Sequence, residues 1–339
     1  MLVLALSAFF LVLAFWADCF WGSVALPPGD VWRTLWGMDV PEKVRILVWE
    51  SRLPRALTAV AAGAGLAVSG LLMQTFFRNP VAGPYILGIS SGAGLGVALV
   101  VLAGVGSAWS VAGAAVSIRV LAAALGAGGA MVFMGVLAGR VRDSATLLIF
   151  GLMLGSFTAA LIGILQYFAN RDALRDFIYW TFGSLDHTHW QELGWLMPIT
   201  AVGLLWAAWL GPALDVLVLG ESYARSMGVR ASRLRLVLMG ITAVLAGSIT
   251  AFCGPIAFVG IAVPHAARAL LGHGGHRLLV PVSALVGAGL MVSCDLVSRL
   301  PGLSATLPIN AVTSLLGAPA VVVIVWRNRR IGAFFGAGS

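Results

Sequence analysis

The chain has 339 residues, 60% of them apolar and only 10% charged, with a formal net charge of +8 and a mean hydropathy of +0.98. This excludes an ordinary soluble domain and reads as an all-α, polytopic membrane protein built as one transmembrane unit, 1–339. In such a chain the positive charge marks cytoplasmic loops, not a nucleic-acid surface. A single lysine, Lys43, follows Glu42, so no Gly-Lys-[Ser/Thr] phosphate loop can form. Any ATP that drives this protein is hydrolysed by another chain, and no enzyme activity or cofactor is expected here. Cys19, Cys253 and Cys294 lie in or near apolar runs without ligand spacing and read as small apolar residues.

Leu2–Phe20 is the first apolar run. It lacks a basic leader and a small-residue cleavage site, so it reads as a transmembrane helix and not as a signal peptide. Val24–Arg52 is amphipathic and mixed in charge and is expected outside the bilayer. Further spans are expected at Leu53–Phe76, Tyr85–Gly104, Val120–Ala138, Ala145–Phe168, Leu193–Leu210, Leu234–Phe252, Ile256–Leu271, Leu278–Val297 and Leu307–Trp326. Val111–Arg119 stands as a possible extension of the fourth. Ile256–Leu271 is short, follows Cys253-Gly254-Pro255 and contains Pro264, which suggests backbone broken inside the protein and away from lipid.

Ten spans put both termini on one side. Arg78, Arg140, Arg142, Arg225, Arg230, Arg233, Arg235, Arg268, Arg277, Arg327, Arg329 and Arg330 share that side, with only Asp143, Asp215 and Glu221 against them. On the opposite side, Arg33, Lys43, Arg45, Arg52, Arg55, Arg119, Arg171, Arg175 and Arg299 are balanced by acids. The first side is therefore expected to be cytoplasmic, with the termini there. It carries the polar island Gly211–Arg235. Within it, Gly220–Met227 reads as a short helix with Glu221 and Arg225 as an i,i+4 pair. Gly228 suits a left-handed helix stop, and Ser232 suits a cap for the next helix. This is a good shape for docking; the plainer reading is an interhelical loop.

No Asp, Glu, Lys or His falls in the middle of an expected span, which argues against a proton-coupled carrier and against an intramembrane hydrolase. His187-Thr188-His189, and His273 with His276, lack a third metal ligand and read as solvated. Gly88, Gly92 and Gly96 repeat at i, i+4, i+8, and Gly151 with Gly155 do the same, as faces for close helix packing. Gly92–Gly96 follows no strand and is not a nucleotide loop. At the outer mouth, Arg52 and Arg55 bracket Leu53-Pro54, and Arg299 ends the ninth span. Such arginines either snorkel to headgroups or pair with carboxylates of a docking protein.

Six stretches together resemble one family. They are Arg52–Arg55 (RLPR); Gly70–Pro84 running into Leu87–Ala93; Tyr179–Leu185 (YWTFGSL); Gly220–Val229 (GESYARSMGV); Gly254–Arg268 (GPIAFVGIAVPHAAR); and Leu307–Pro319 (LPINAVTSLLGAP). In this order they resemble the permeases of ATP-binding-cassette importers for iron chelates, haem and cobalamin. The resemblance implies a ten-helix subunit paired with a second permease copy in the bacterial inner membrane. It implies two cytoplasmic ATPase subunits docked on the 211–235 segment, with Glu221, Arg225 and Gly228 in the coupling element. It also implies a periplasmic or surface-anchored binding protein whose acidic residues meet Arg52, Arg55 and Arg299. Among the cargoes an iron chelate is favoured, with cobalamin as the alternative. The chain departs from the family at Asn310, where glycine is usual, which places a polar amide near the outer end of the path. It also starts almost directly with its first span, so that the true start lies upstream or the family's short basic tail is dispensable. The rival class is an ATP-independent secondary transporter or channel.

Overall fold

The computed structural model describes residues 1–105, 114–141, 143–186, 188–228, 230–272, 274–299 and 306–327. His187, His273, Arg142, Arg329 and Arg330 lie outside the described residues. For Glu221 and Arg225 only the helical backbone is described.

The first span is α1 (Leu2–Phe20), an apolar run that ends where Trp21 turns extended. The segment that follows carries α2 (Pro28–Leu35) and α3 (Glu42–Ile46). A π-helical turn, Leu47–Arg52, then leads straight into α4 (Leu53–Phe77). The second span was expected to begin at Leu53, but its helix begins at Glu42 and runs for 36 residues. Pro54 cannot donate to a carbonyl four residues back, and the π turn re-registers the ladder just before it, so the helix continues.

The third expected span is also different. A 3-10 turn, Pro84–Leu87, and Gly88 at φ +80 precede α5 (Ile89–Val101). Gly88 is therefore the cap of the helix and not part of a continuous glycine face. Beyond it come α6 (Ala114–Arg140), which includes Ala114–Arg119, and α7 (Ser144–Phe168). Asp143 caps α7 by accepting from the N–H groups of Ala145 and Thr146. The amphipathic α8 (Arg171–Thr181), capped by Asn170, had not been expected as a helix.

Next is α9 (Trp190–Trp209). The polar island forms two helices, α10 (Gly211–Val218) and α11 (Glu221–Ser226). Gly228 follows at φ +80. The next helix, α12 (Ala231–Cys253), takes Arg230 and not Ser232 at its cap position. The chain closes with α13 (Val259–Leu271), α14 (His276–Ser298) and α15 (Ile309–Arg327). Pro264 sits inside a continuous α13; the break lies ahead of it, at residues 254–258.

Among the described residues, seven helices are long and apolar enough to cross a membrane, and three shorter apolar ones, Ile89–Val101, Val259–Leu271 and Ile309–Val323, complete the expected set. At 13 residues, α5 and α13 reach only about 20 Å, short of a hydrocarbon core of about 30 Å. Their remaining path is non-helical, which a membrane tolerates only inside protein. The 254–258 stretch meets that condition. Ser184 N–H donates to Cys253 O at 2.8 Å, and Ala257 N–H donates to Asn310 Oδ1 at 3.0 Å.

The bundle is built around α4. The most apolar stretch of this span is 89% buried, against 17–61% for the other long spans. It packs on α14, α12, α13 and α9, and glycines set how closely. A Cβ on Gly63 would stand 2.2 Å from Gly287 O, and one on Gly70 only 1.7 Å from Gly260 O. A second seam joins α5 to α6, where a Cβ on Gly92 or Gly96 would meet Gly126 O at 2.4 Å or Ala122 O at 2.0 Å. Gly151 abuts Ile86 O in the same way, whereas Gly155 meets only Ser91 Oγ at 3.5 Å.

Backbone against backbone cannot yield as a side-chain tip can. Gly70→Ala is expected to cost about 3 kcal/mol or more and to lower the melting temperature of the detergent-solubilised protein. Gly128→Ala on α6, where nothing lies within 4 Å, is expected to be neutral or to stabilise by a few tenths up to about 1 kcal/mol. Equal melting shifts for the two would overturn the close-packing account.

Candidate functional site: an arginine cluster and the cavity beside it

The three arginines expected at the outer mouth come together at one end of the bundle. The C-terminal end of α1, the N-terminal end of α4 and the C-terminal end of α14 meet there. Arg52, Arg55 and Arg299 are only 3%, 5% and 6% exposed. From the sequence they are expected at a mouth, to meet headgroups or carboxylates of a docking protein. Carboxylates of the same chain already pair with Arg55 and Arg299.

Arg55 Nε donates to both oxygens of Asp295, at 2.8 and 3.0 Å, and Nη2 donates to Ser298 Oγ at 3.1 Å. Its Nη1 donates to Asp186. Arg299 Nη2 donates to Asp295 Oδ2 at 2.7 Å and to Asp18. Arg52 donates to the carbonyls at the end of α1, Cys19 O at 3.0 Å and Phe20 O at 2.9 Å, and to Val24 O. Three arginines and three aspartates thus form a compact, formally neutral group. Asp18 and Asp295 are fully buried, while the Asp186 side chain is 42% exposed.

One part of this network is legible in the sequence: Asp295 and Arg299 are four apart on one helix. The other ion pairs, separated by 131 to 281 residues, left no local signal. A cavity of about 110 Å³ is framed by Arg52, Arg55 and Arg299, with Gly22, Ser51 and Asp186 on its border.

A larger cavity, about 550 Å³, lies alongside. Its wall is α8 and the turn that follows it, with Tyr179, Trp180 and Phe182, and the start of α15 at Ile309. Arg55 and Asp186 line both cavities. Arg119 and Asp176, paired at 3.3 Å, add a further balanced ion pair to the lining. Asn310 acts beside this cavity as a tie. Its Oδ1 accepts from Ala257, and its own N–H donates to Phe182 O at 3.2 Å. The side-chain amide that departs from the family pattern joins α15 to the 254–258 break, while the Asn310 backbone N–H makes the link to the α8 turn.

A second polar group lies at the other end of α4, which at 25 residues is about 37 Å away. The His276 ring Nδ1–H and backbone N–H donate to Asp215 Oδ1 at 2.7 and 2.9 Å, so α10 is fastened to the start of α14. His276 Nε2 lies 3.0 Å from Thr75 Oγ1 on α4. Arg268 donates to Gln74 Oε1 at 2.7 Å. These residues border a cavity of about 430 Å³. Burial works to raise the Asp215 carboxyl, but the hydrogen bonds from His276 outweigh it and hold it below the ordinary carboxylate value of 3.8. Among the described residues no group of three or more His, Cys, Asp or Glu is placed to hold a metal ion.

Apolar helices around one buried mast, with a neutralised arginine cluster at one end and short helices at the other, define the class as a multi-pass helical membrane protein. The profile of the FecCD transport family matches residues 10–327, and the chain belongs to that family. It is a permease subunit of the ATP-binding-cassette importer type.

The chain is 35% identical to the vitamin B12 import system permease protein BtuC of Klebsiella pneumoniae subsp. pneumoniae, over 92% of this chain and 89% of that protein. It is also 35% identical to the Fe(3+) dicitrate transport system permease protein FecC of Escherichia coli strain K12, over 95% of each. Among solved structures, it superimposes on a metal-chelate type ABC transporter in an inward-facing conformation. The TM-score is 0.84 at 28% identity, covering 96% of this chain and 99% of the other.

Two outcomes follow from the charge pairings. Arg299→Ala strands Asp18 and shares Asp295 with Arg55 alone, and is expected to cost about 3–5 kcal/mol. The double variant Asp18→Asn/Arg299→Gln removes both charges and should lose clearly less, as read by chemical denaturation in detergent. At the other end, a lowered Asp215 carboxyl contributes stability above its ordinary titration range and loses it as pH falls through the lowered folded value. Asp215→Asn should therefore flatten the acid limb of the melting-temperature profile below about pH 4; an unchanged limb would count against the pairing with His276.

Proposed function

We propose that this chain is the membrane-spanning subunit of an ATP-driven importer for a bulky metal chelate, with an iron chelate as cargo. The whole chain acts as one permease domain in the bacterial inner membrane, with both termini in the cytoplasm. It pairs with a second copy of itself, and two ATPase subunits dock on segment 211–235. There α11, with Glu221 and Arg225, and the left-handed Gly228 move with the ATPase dimer. A binding protein docks at the opposite end, around Arg52, Arg55 and Arg299, and delivers cargo toward the 550 Å³ cavity.

The observation that carries this reading is the separation of the two polar ends by one rigid, buried helix. The α4 mast has the arginine cluster at its start and Gln74, Thr75 and Arg78 at its finish, where α10 is fastened through Asp215 and His276. Such a mast transmits a rigid-body tilt from one end to the other. The charged residues that line the cavity are paired within the chain, Arg55 with Asp186 and Arg119 with Asp176, and the rest of the lining is neutral, which suits a path that releases its cargo while the binding protein supplies the affinity. Cobalamin is the second reading, favoured by the equal identity to a vitamin B12 permease and a ferric dicitrate permease.

The test is uptake into proteoliposomes holding this chain with its ATPase and binding protein, using labelled ferric siderophore, haem and cobalamin, each with and without ATP. ATP-dependent uptake of an iron chelate is expected. Cobalamin uptake alone would replace the cargo assignment, and uptake driven by an ion gradient without ATP would overturn the importer mechanism.

A further inference from the structure

The arginine cluster contains one partner unlike the others. Asp18 and Asp295 are sealed inside the bundle, whereas Asp186 keeps 42% of its side chain exposed. It is also the only one of the three aspartates outside a helix, on the segment between α8 and α9, three residues after Gly183 at φ +69. Its attachment to Arg55 is through Nη1 alone. The rest of that guanidinium is fixed independently, Nε by Asp295 and Nη2 by Ser298. If Asp186 leaves, Arg55 stays in place and presents Nη1 toward solvent. Behind Asp186 lies the 110 Å³ cavity framed by the three arginines. A water molecule occupies about 30 Å³ of liquid, so a carboxylate group fits this space. Guanidinium forks suit it in geometry as well as charge.

We propose that Asp186 is the chain's own occupant of a carboxylate-binding site at Arg55 Nη1, beside the cavity that Arg52, Arg55 and Arg299 line, and that an acidic side chain of the docking protein enters by displacing it. This rests on the docking reading given above and adds an exchange step to it. Burial and internal pairing of the arginines are then compatible with recognition, because one internal carboxylate is held loosely enough to be replaced. The exchange is noncovalent: one ion pair opens and another of the same type closes, with no change in protonation. Asp186 also borders the 550 Å³ cavity, and Ser184, two residues before it, is tied to Cys253 O at the 254–258 break. Displacing Asp186 therefore reaches the cavity wall directly, and arrival of the docking protein is felt at the cargo path.

The experiment measures binding of the docking protein to the assembled permease–ATPase complex in nanodiscs. Wild type, Asp186→Asn, Asp186→Glu and Glu50→Gln are compared at about 50 and about 300 mM salt. Removing the internal competitor should tighten binding by about fivefold in Asp186→Asn. Asp186→Glu, which keeps the charge, should stay near wild type. Glu50 is exposed on the adjoining π turn, so Glu50→Gln reports what a lost surface charge does by itself and should change affinity far less. Equal affinity of Asp186→Asn and wild type overturns the exchange, and so does an equal gain in Glu50→Gln.

Wild-type affinity that does not weaken with salt overturns the docking reading itself, a separate outcome. Thermal melting of each variant checks folding. Asp186→Ser, too short to reach Arg55, carries the same expectation as Asp186→Asn and decides the matter should that variant melt early.

Discussion

The fold depends on how closely other helices approach α4. Gly63 against Gly287 and Gly70 against Gly260 bring backbones into contact two turns apart along one face of the helix, at distances where no side chain fits. Lipid tails are as apolar as the helices, so burial of apolar surface does little to hold spans together; shape and backbone proximity do the holding. Once α14 and α13 are seated against α4, their ends are located too. Asp295 and Arg299 arrive beside Arg55, and Arg268 arrives beside Gln74. The polar groups at both ends are consequences of the glycine contacts in the middle.

Charge at the arginine end obeys a strict balance. Each buried carboxylate is matched by a guanidinium, and Arg52 spends its donors on carbonyls at the end of α1 that lack helical partners. Such a group adds less stability than an apolar core of the same size would, but it is costly to break from one side. It therefore fixes the relation of α1, α4 and α14 more than it strengthens the bundle. Beside it, the short α5 and α13 leave room that full-length helices would fill. The break ahead of α13 is satisfied by Asn310 Oδ1 and by Tyr85 Oη, which lies 3.4 Å from the Ile256 N–H, and Cys253 O accepts from Ser184.

The spans were legible because hydrocarbon thickness imposes a length on apolar runs, and α1 shows this to the residue. Local competition was less legible. Gly88, Gly92 and Gly96 keep a helical spacing, but the turn begun at Pro84 places Gly88 in the left-handed region, and the helix starts after it. Ser232 has good capping chemistry, yet the chain enters α12 at Arg230 and leaves Ser232 inside the helix. The arginines were recognisable as a set by motif, and Asp295 with Arg299 by spacing. Their link to Asp18 and Asp186 was not, because it depends on how α1 and the α8–α9 segment pack, which no local pattern encodes. Asp215 and His276 were hidden in the same way.

The pairing of Asp18 with Arg299 spans 281 residues and joins the first span to the ninth. During synthesis at about 5–20 residues per second, roughly 15–60 s pass between the appearance of the aspartate and that of the arginine. Through that interval α1 is already in the membrane with an acid near its end and without its eventual partner. Nascent chains truncated before α14 would leave Asp18 without its arginine. The cluster at this end of the bundle therefore closes only when the chain has been made almost to its last span.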